Sequence, residues 1–123
     1  MDVHNIAAVP AFTTKDGSEI RELLAHRNSC IEKQSLAEAR LPPGGQTTPH
    51  YHRVTEEIYY ILEGTGRMLL DEDDQRDVGP GDAIAIPPGL VHTITNTGDS
   101  ELKFLCCCAP AYEHEDTVLI EPE

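Results

Sequence analysis

The stretch TPHYHRVTEEIYYILEG places His50 and His52 one residue apart, just before the paired carboxylates Glu56 and Glu57. Imidazole and carboxylate together suit borderline transition metals such as Mn, Fe, Co, Ni, Cu and Zn rather than Ca or Mg. On an extended strand, residues i and i+2 share a face, so the two rings can converge on one point. A histidine pair alone is also an ordinary polar strand face, and the weight falls on what accompanies it. A third candidate, His92, sits in GDAIAIPPGLVHTITN. Further on, Cys106, Cys107 and Cys108 are consecutive, and Tyr112, His114, Glu115 and Asp116 crowd the segment AYEHEDT. His4 and His26 have no partner pattern and read as surface residues.

The elements that must position these groups are strands. SLAEARL alternates, with Ala37, Ala39 and Leu41 on one side and Glu38 and Arg40 on the other. EIYYILEG is rich in β-branched and aromatic residues and stops at Gly64. GRMLLDE, AIAIPP, VHTITN and ELKFLCCCA read as further strands, Pro87 and Pro88 ending the second of these runs. SEIRELLAHRN fits a helical face or a strand. TTKDG and PPGGQTTP read as turn and loop, DEDDQRDVGPGD as a charged turn, and residues 110–123 as a tail without clear period. Many short strands broken by Gly, Pro and Asp predict an all-β sandwich or barrel.

Composition narrows the partners. The chain has 123 residues, a length that suits one domain. Its 22 acidic and 9 basic side chains give a net charge of −13, which argues against nucleic acid and against anionic membrane surfaces. The start MDVHNIAAVP lacks a basic and apolar signal, and no stretch approaches the ~20 apolar residues of a membrane helix. The four cysteines have neither disulfide-framework nor metal-finger spacing, and a reducing cytoplasm is expected. Dinucleotide and phosphate loops and nucleophile elbows are absent, so no organic cofactor is expected.

The first stretch reads G-x5-H-x-H-x4-E-x6-G through Gly44, His50, His52, Glu57 and Gly64. The second reads G-x5-P-x-G-x2-H-x3-N through Gly81, Pro87, Gly89, His92 and Asn96, and 16 residues separate the two. Together they closely resemble the two signature motifs of the cupin superfamily. The resemblance implies a single-domain jelly-roll β-barrel over residues 1–123, with a barrel core at about 34–109 and accessory segments 1–33 and 110–123. It also implies one divalent transition metal per chain, held by His50, His52, Glu57 and His92. Strict alternation from His52 points instead to Glu56; the family spacing takes Glu57, with a register break near Val54 and Thr55. Asn96 reads as a turn-stabilising side chain.

Four ligands on a six-coordinate ion leave open positions for a small-molecule substrate. The expected function is a small metalloenzyme of dioxygenase, isomerase or lyase type, and the competing one is a metal and small-ligand binder for sensing or storage. Tyr59 is the candidate catalytic side chain if it faces inward with Glu57. Ile61, Ile84, Ile94 and Phe104 are expected to line the interior. Cys106 and Cys108 read first as small core residues, with a cavity-lining role as the alternative; a lid role is open for the Tyr112–Asp116 segment. No interior basic clamp is identifiable. Edge strands and the outward Ile58, Tyr60 and Leu62 predict a homodimer.

Overall fold

The computed structural model describes residues 1–120. Eleven strands run in chain order: β1 (Phe12–Thr13), β2 (Glu19–Leu24), β3 (Ser35–Leu41), β4 (His50–His52), β5 (Glu56–Glu63), β6 (Gly66–Leu70), β7 (Asp74–Val78), β8 (Ala83–Ile86), β9 (His92–Asn96), β10 (Leu102–Ala109) and β11 (Thr117–Leu119). Single 3₁₀ turns occupy Ile6–Ala8 and His114–Asp116. The strands form two antiparallel sheets, ordered β1-β2-β3-β10-β5-β8 and β11-β4-β9-β6-β7. From β3 onward every connection except β6–β7 crosses between the sheets, the arrangement of a jelly roll.

Alternation decides what enters the space between the sheets. Along β10, Leu102, Phe104, Cys106 and Cys108 are buried while Lys103, Leu105 and Cys107 lie toward the other face. Along β5, Glu57, Tyr59 and Ile61 are buried and Glu56, Ile58 and Tyr60 exposed. The core joins Leu41, Ile61, Met68, Ile94, Leu102 and Phe104 from both sheets. Ile61, Ile94 and Leu102 have no exposed surface at all, so truncating any of them to Ala would cost about 2–5 kcal/mol.

Two connections have steric requirements. Gly64 adopts φ +83°, and a Cβ there would stand 2.7 Å from the Glu101 carbonyl oxygen, so only glycine fits between β5 and β6. Asn96 ties the turn after β9: its amide donates to the Leu41 and Ser100 carbonyls, and its oxygen accepts from the Gly98 N–H. That is the turn-stabilising role its sequence position implies.

The structure settles one open segment and departs from the sequence reading at two others. The ambiguous SEIRELL is strand β2, because its pairing with β3 supplies the partner that local periodicity cannot show. DQRDV is not a turn but edge strand β7, paired residue for residue with β6. Asp74, Gln75, Arg76 and Asp77 are all exposed, so no polar–apolar alternation marks it. The tail contributes β11, which pairs with β4; its last residues, 121–123, lie outside the described residues. Among the described residues no helix is long and apolar enough to cross a membrane.

Candidate metal centre

The site lies between the sheets, near the ends of β4, β5 and β9. Strand β4 is three residues long, and its outer two, His50 and His52, point inward around Tyr51. His92 opens β9 and pairs directly with His50, so the ladder itself sets the third ring beside the first. The turn before β9 is fixed by Gly89 at φ +82°, whose N–H donates to the His52 carbonyl at 2.7 Å. One nitrogen from each of His50, His52 and His92 lies within 4.8 Å of the others.

Glu57 approaches from the opposite sheet. The chain bends between β4 and β5, and Asp116 clamps the bend. Its carboxylate accepts the Val54 and Thr55 N–H groups, both at 3.0 Å, and its carbonyl accepts the Arg53 N–H. This interruption shifts the alternation by one residue. Glu57 is buried at 5% exposure and faces the histidines, whereas Glu56 is turned outward. Glu57 Oε1 stands 3.2 Å from His52 Nε2 and 3.7 Å from His92 Nε2, and Oε2 accepts from the Cys108 thiol at 3.1 Å.

The outer ring nitrogens fix the tautomers. His50 Nδ1 donates to the Thr48 carbonyl at 2.7 Å and His92 Nδ1 to the Leu90 carbonyl at 3.3 Å. Thr117 gives its hydroxyl proton to the Glu113 carbonyl and so accepts from His52 Nδ1 at 3.1 Å. The network is satisfied with all three Nδ1 atoms as donors, a set of tautomers that leaves three bare Nε2 lone pairs facing inward. Two of them face a carboxylate oxygen, acceptor against acceptor. His92 Nε2 is buried without a hydrogen-bond partner among the described residues. Burial, and next the neighbouring His50, hold the His92 imidazole down to about 4 from an ordinary 6.5, so it stays neutral.

A cation relieves this confrontation. Two donors each ~2.1 Å from one ion stand about 3.0 Å apart at a right angle and about 4.2 Å apart when opposed. The observed separations of 3.2 and 3.7 Å fall inside that range. The donor set thus fits a transition metal, with neutral imidazoles oriented by partners as metal-bound histidines are.

Beside the candidate centre the cavity is lined by Phe12, Ile20, Tyr59, Phe104, Cys106 and Tyr112 among others, and by no Lys or Arg among the described residues. Its carboxylates are Asp16, Glu22 and Glu57. Tyr59 does face inward, with its ring centre 4.7 Å from that of Phe104 and 5.9 Å from that of His92. Its hydroxyl has no protein partner among the described residues. Burial and then the Glu57 charge push that phenol well up, so it remains protonated.

Several expectations change here. Of the four residues expected to line the interior, Ile61, Ile94 and Phe104 are buried there and Ile84 packs at the core margin, but only Phe104 reaches the cavity. Cys106 and Cys108 line the cavity instead of merely filling core, because β10 turns that face toward the site. Their thiols are pushed up by burial and then by Glu57, and they remain neutral. Within the tail segment, Tyr112 lines the cavity and Asp116 clamps the bend, whereas His114 and Glu115 are exposed. Sequence reasoning missed Asp16 and Thr117. Asp16 lies in the turn signal TTKDG, and Thr117 in a tail whose strand is recognisable only from its pairing with β4.

Comparison with known proteins identifies the family and the fold. The Cupin domain model matches residues 37–108. An uncharacterized protein of Methanocaldococcus jannaschii is 51% identical over 92% of this chain and 90% of its own length. An oxalate-binding protein of Thermotoga maritima is 34% identical over 71% of each chain. Among solved structures, the polyketide cyclase RemF from Streptomyces resistomycificus superposes with a TM-score of 0.81 at 26% identity, covering all of this chain and 87% of RemF.

Proposed function

The chain belongs to the cupin domain family, and from that premise we propose that it is a metalloenzyme acting on a small, uncharged organic molecule. His50, His52, His92 and Glu57 hold one divalent transition metal per chain. The observation that carries this reading is the cluster of three Nε2 atoms, two of them facing Glu57, beside a cavity with no Lys or Arg among the described residues. When bound, the metal supplies Lewis acidity to a substrate oxygen at an open position.

The chain's own residues do the rest. Phe12, Ile20 and Phe104 favour an apolar or aromatic body and exclude water. Tyr59, a neutral phenol with a free hydroxyl, donates a hydrogen bond to a substrate oxygen and orients it. Without Lys or Arg in the lining, a small dianion finds no clamp, whereas the polyketide-type chemistry in the name of RemF fits the apolar wall. A second reading, ligand binding without turnover, is favoured by the Thermotoga maritima relative, whose name states binding only.

The test is turnover of phenols, catechols and enolisable ketones by Mn, Fe, Co, Ni, Cu and Zn forms, each beside His92→Ala. Turnover that depends on metal and on His92 supports the enzyme. Tight binding of a compound that is released unchanged by every form would replace it with the second reading.

A further inference from the structure

Two carboxylates of the cavity lie outside the cupin motifs; Glu22 pairs with Arg27 at 2.6 Å, and Asp16 is left without a task. It sits in the turn between β1 and β2, closed by the Gly17 N–H donating to the Thr14 carbonyl. Its Oδ1 is fully engaged, accepting from the Thr14 hydroxyl at 2.7 Å, the Ser18 N–H at 2.9 Å and the Ser18 hydroxyl at 2.7 Å. The Asp16 carbonyl accepts from the Thr48 N–H, which ties the turn to the chain just before His50. Its Oδ2 has no hydrogen bond among the described residues and stands 3.7 Å from His50 Nε2. The side chain is 15% exposed. Since His50 Nδ1 is the donor to Thr48, the nitrogen facing Asp16 is the bare one.

Thus the same acceptor-against-acceptor meeting seen between Glu57 and His52 recurs on the other side of the histidines. We propose that Asp16 is a fifth ligand of the metal, its Oδ2 binding beside His50. The inference rests on the metal-centre reading above. A separation of 3.7 Å is that of two donors on one ion, equal to the spacing between Glu57 and His92. Charge points the same way. Two carboxylates flank the three imidazoles, Glu57 beside His52 and His92 and Asp16 beside His50, with no Lys or Arg among the described lining residues, and a divalent cation balances their charge. The buried His92 Nε2, without a hydrogen-bond partner among the described residues, offers that cation a further lone pair. With Asp16 bound, the centre is neutral overall and keeps one open position, which disfavours an anionic ligand and limits substrate to a single donor atom.

The test uses the full chain, loaded with Mn(II), as wild type and as Asp16→Asn. Asparagine keeps the shape, and its oxygen can still hold Thr14 and Ser18. Water-proton relaxivity reads the number of waters on the ion: one for wild type and two for the variant, a roughly twofold rise. Mn(II) affinity by chelator competition should fall by about 10-fold or more. Equal relaxivity in the two proteins would overturn the assignment of Asp16 while leaving the metal centre standing. Failure of wild type to bind Mn(II), Co(II) or Zn(II) would overturn both. Should Asp16→Asn prove unfolded by circular dichroism, Ser18→Ala, which only loosens the Asp16 carboxylate, should raise relaxivity and lower affinity; unchanged values would again reject the assignment.

Discussion

Single residues divide the labour at the site, and two of them give sharp expectations. Glu57 and Glu56 are chemically identical neighbours, yet one is buried against His52 and the other faces solvent. Glu57→Gln should weaken transition-metal binding by at least about tenfold, while Glu56→Gln should leave it unchanged; chelator competition decides, and the reverse order would show that the bend does not shift the register. His92 makes the metal-free protein acid-sensitive. The unfolded chain takes its proton near 6.5 and the folded chain only near 4. Unfolding is therefore favoured as pH falls through that window. The stability present above it, about 3 kcal/mol from this group, is lost by its lower end. Urea titrations of metal-free protein between pH 7 and 4 should show the loss, and His92→Asn should reduce it. Equal slopes for the two proteins would reject the assignment.

Elements turn these side chains into a site. The bend between β4 and β5 lets Glu57 rather than Glu56 enter the space between the sheets, and Asp116 holds it. Asp116→Ala removes two hydrogen bonds to a charged acceptor and should cost about 2–3 kcal/mol by urea denaturation, with metal affinity falling in parallel. Unchanged stability would mean that the bend is set elsewhere. The sequence shows why this was hard to foresee. His50, His52 and His92 are legible from motif spacing, and the alternation of β3, β9 and β10 from residue type. The register break near Val54 and Thr55 is legible from the family spacing alone and not from alternation, since both faces of EIYYILEG are apolar. Its cause lies 62 and 61 residues downstream of Val54 and Thr55, in their contacts with Asp116. Strand β7 stayed hidden because an edge strand with solvent on both faces carries no alternation, and Asp16 because an Asp-Gly turn has a sufficient structural reason of its own.

At the scale of the whole molecule, the outer face of the larger sheet has a use for its own surface. Ile58, Tyr60 and Leu62 are 51%, 42% and 37% exposed, and the ladder places Leu105 beside Tyr60 and Cys107 beside Ile58. We propose that a second copy of the chain covers this face. Sedimentation at micromolar concentration should show a dimer that Tyr60→Lys dissociates, and a wild-type monomer would contradict it. Burying that face leaves the cavity free, since it opens between the sheets on the other side of β5. The central claim is that the three histidines and Glu57 form a metal centre. The most direct test is elemental analysis of wild type and a His50→Ala, His92→Ala double variant after loading with Mn, Fe, Co, Ni, Cu or Zn and exhaustive dialysis. The account predicts about one ion per wild-type chain and almost none in the variant; equal metal content in the two proteins would contradict it.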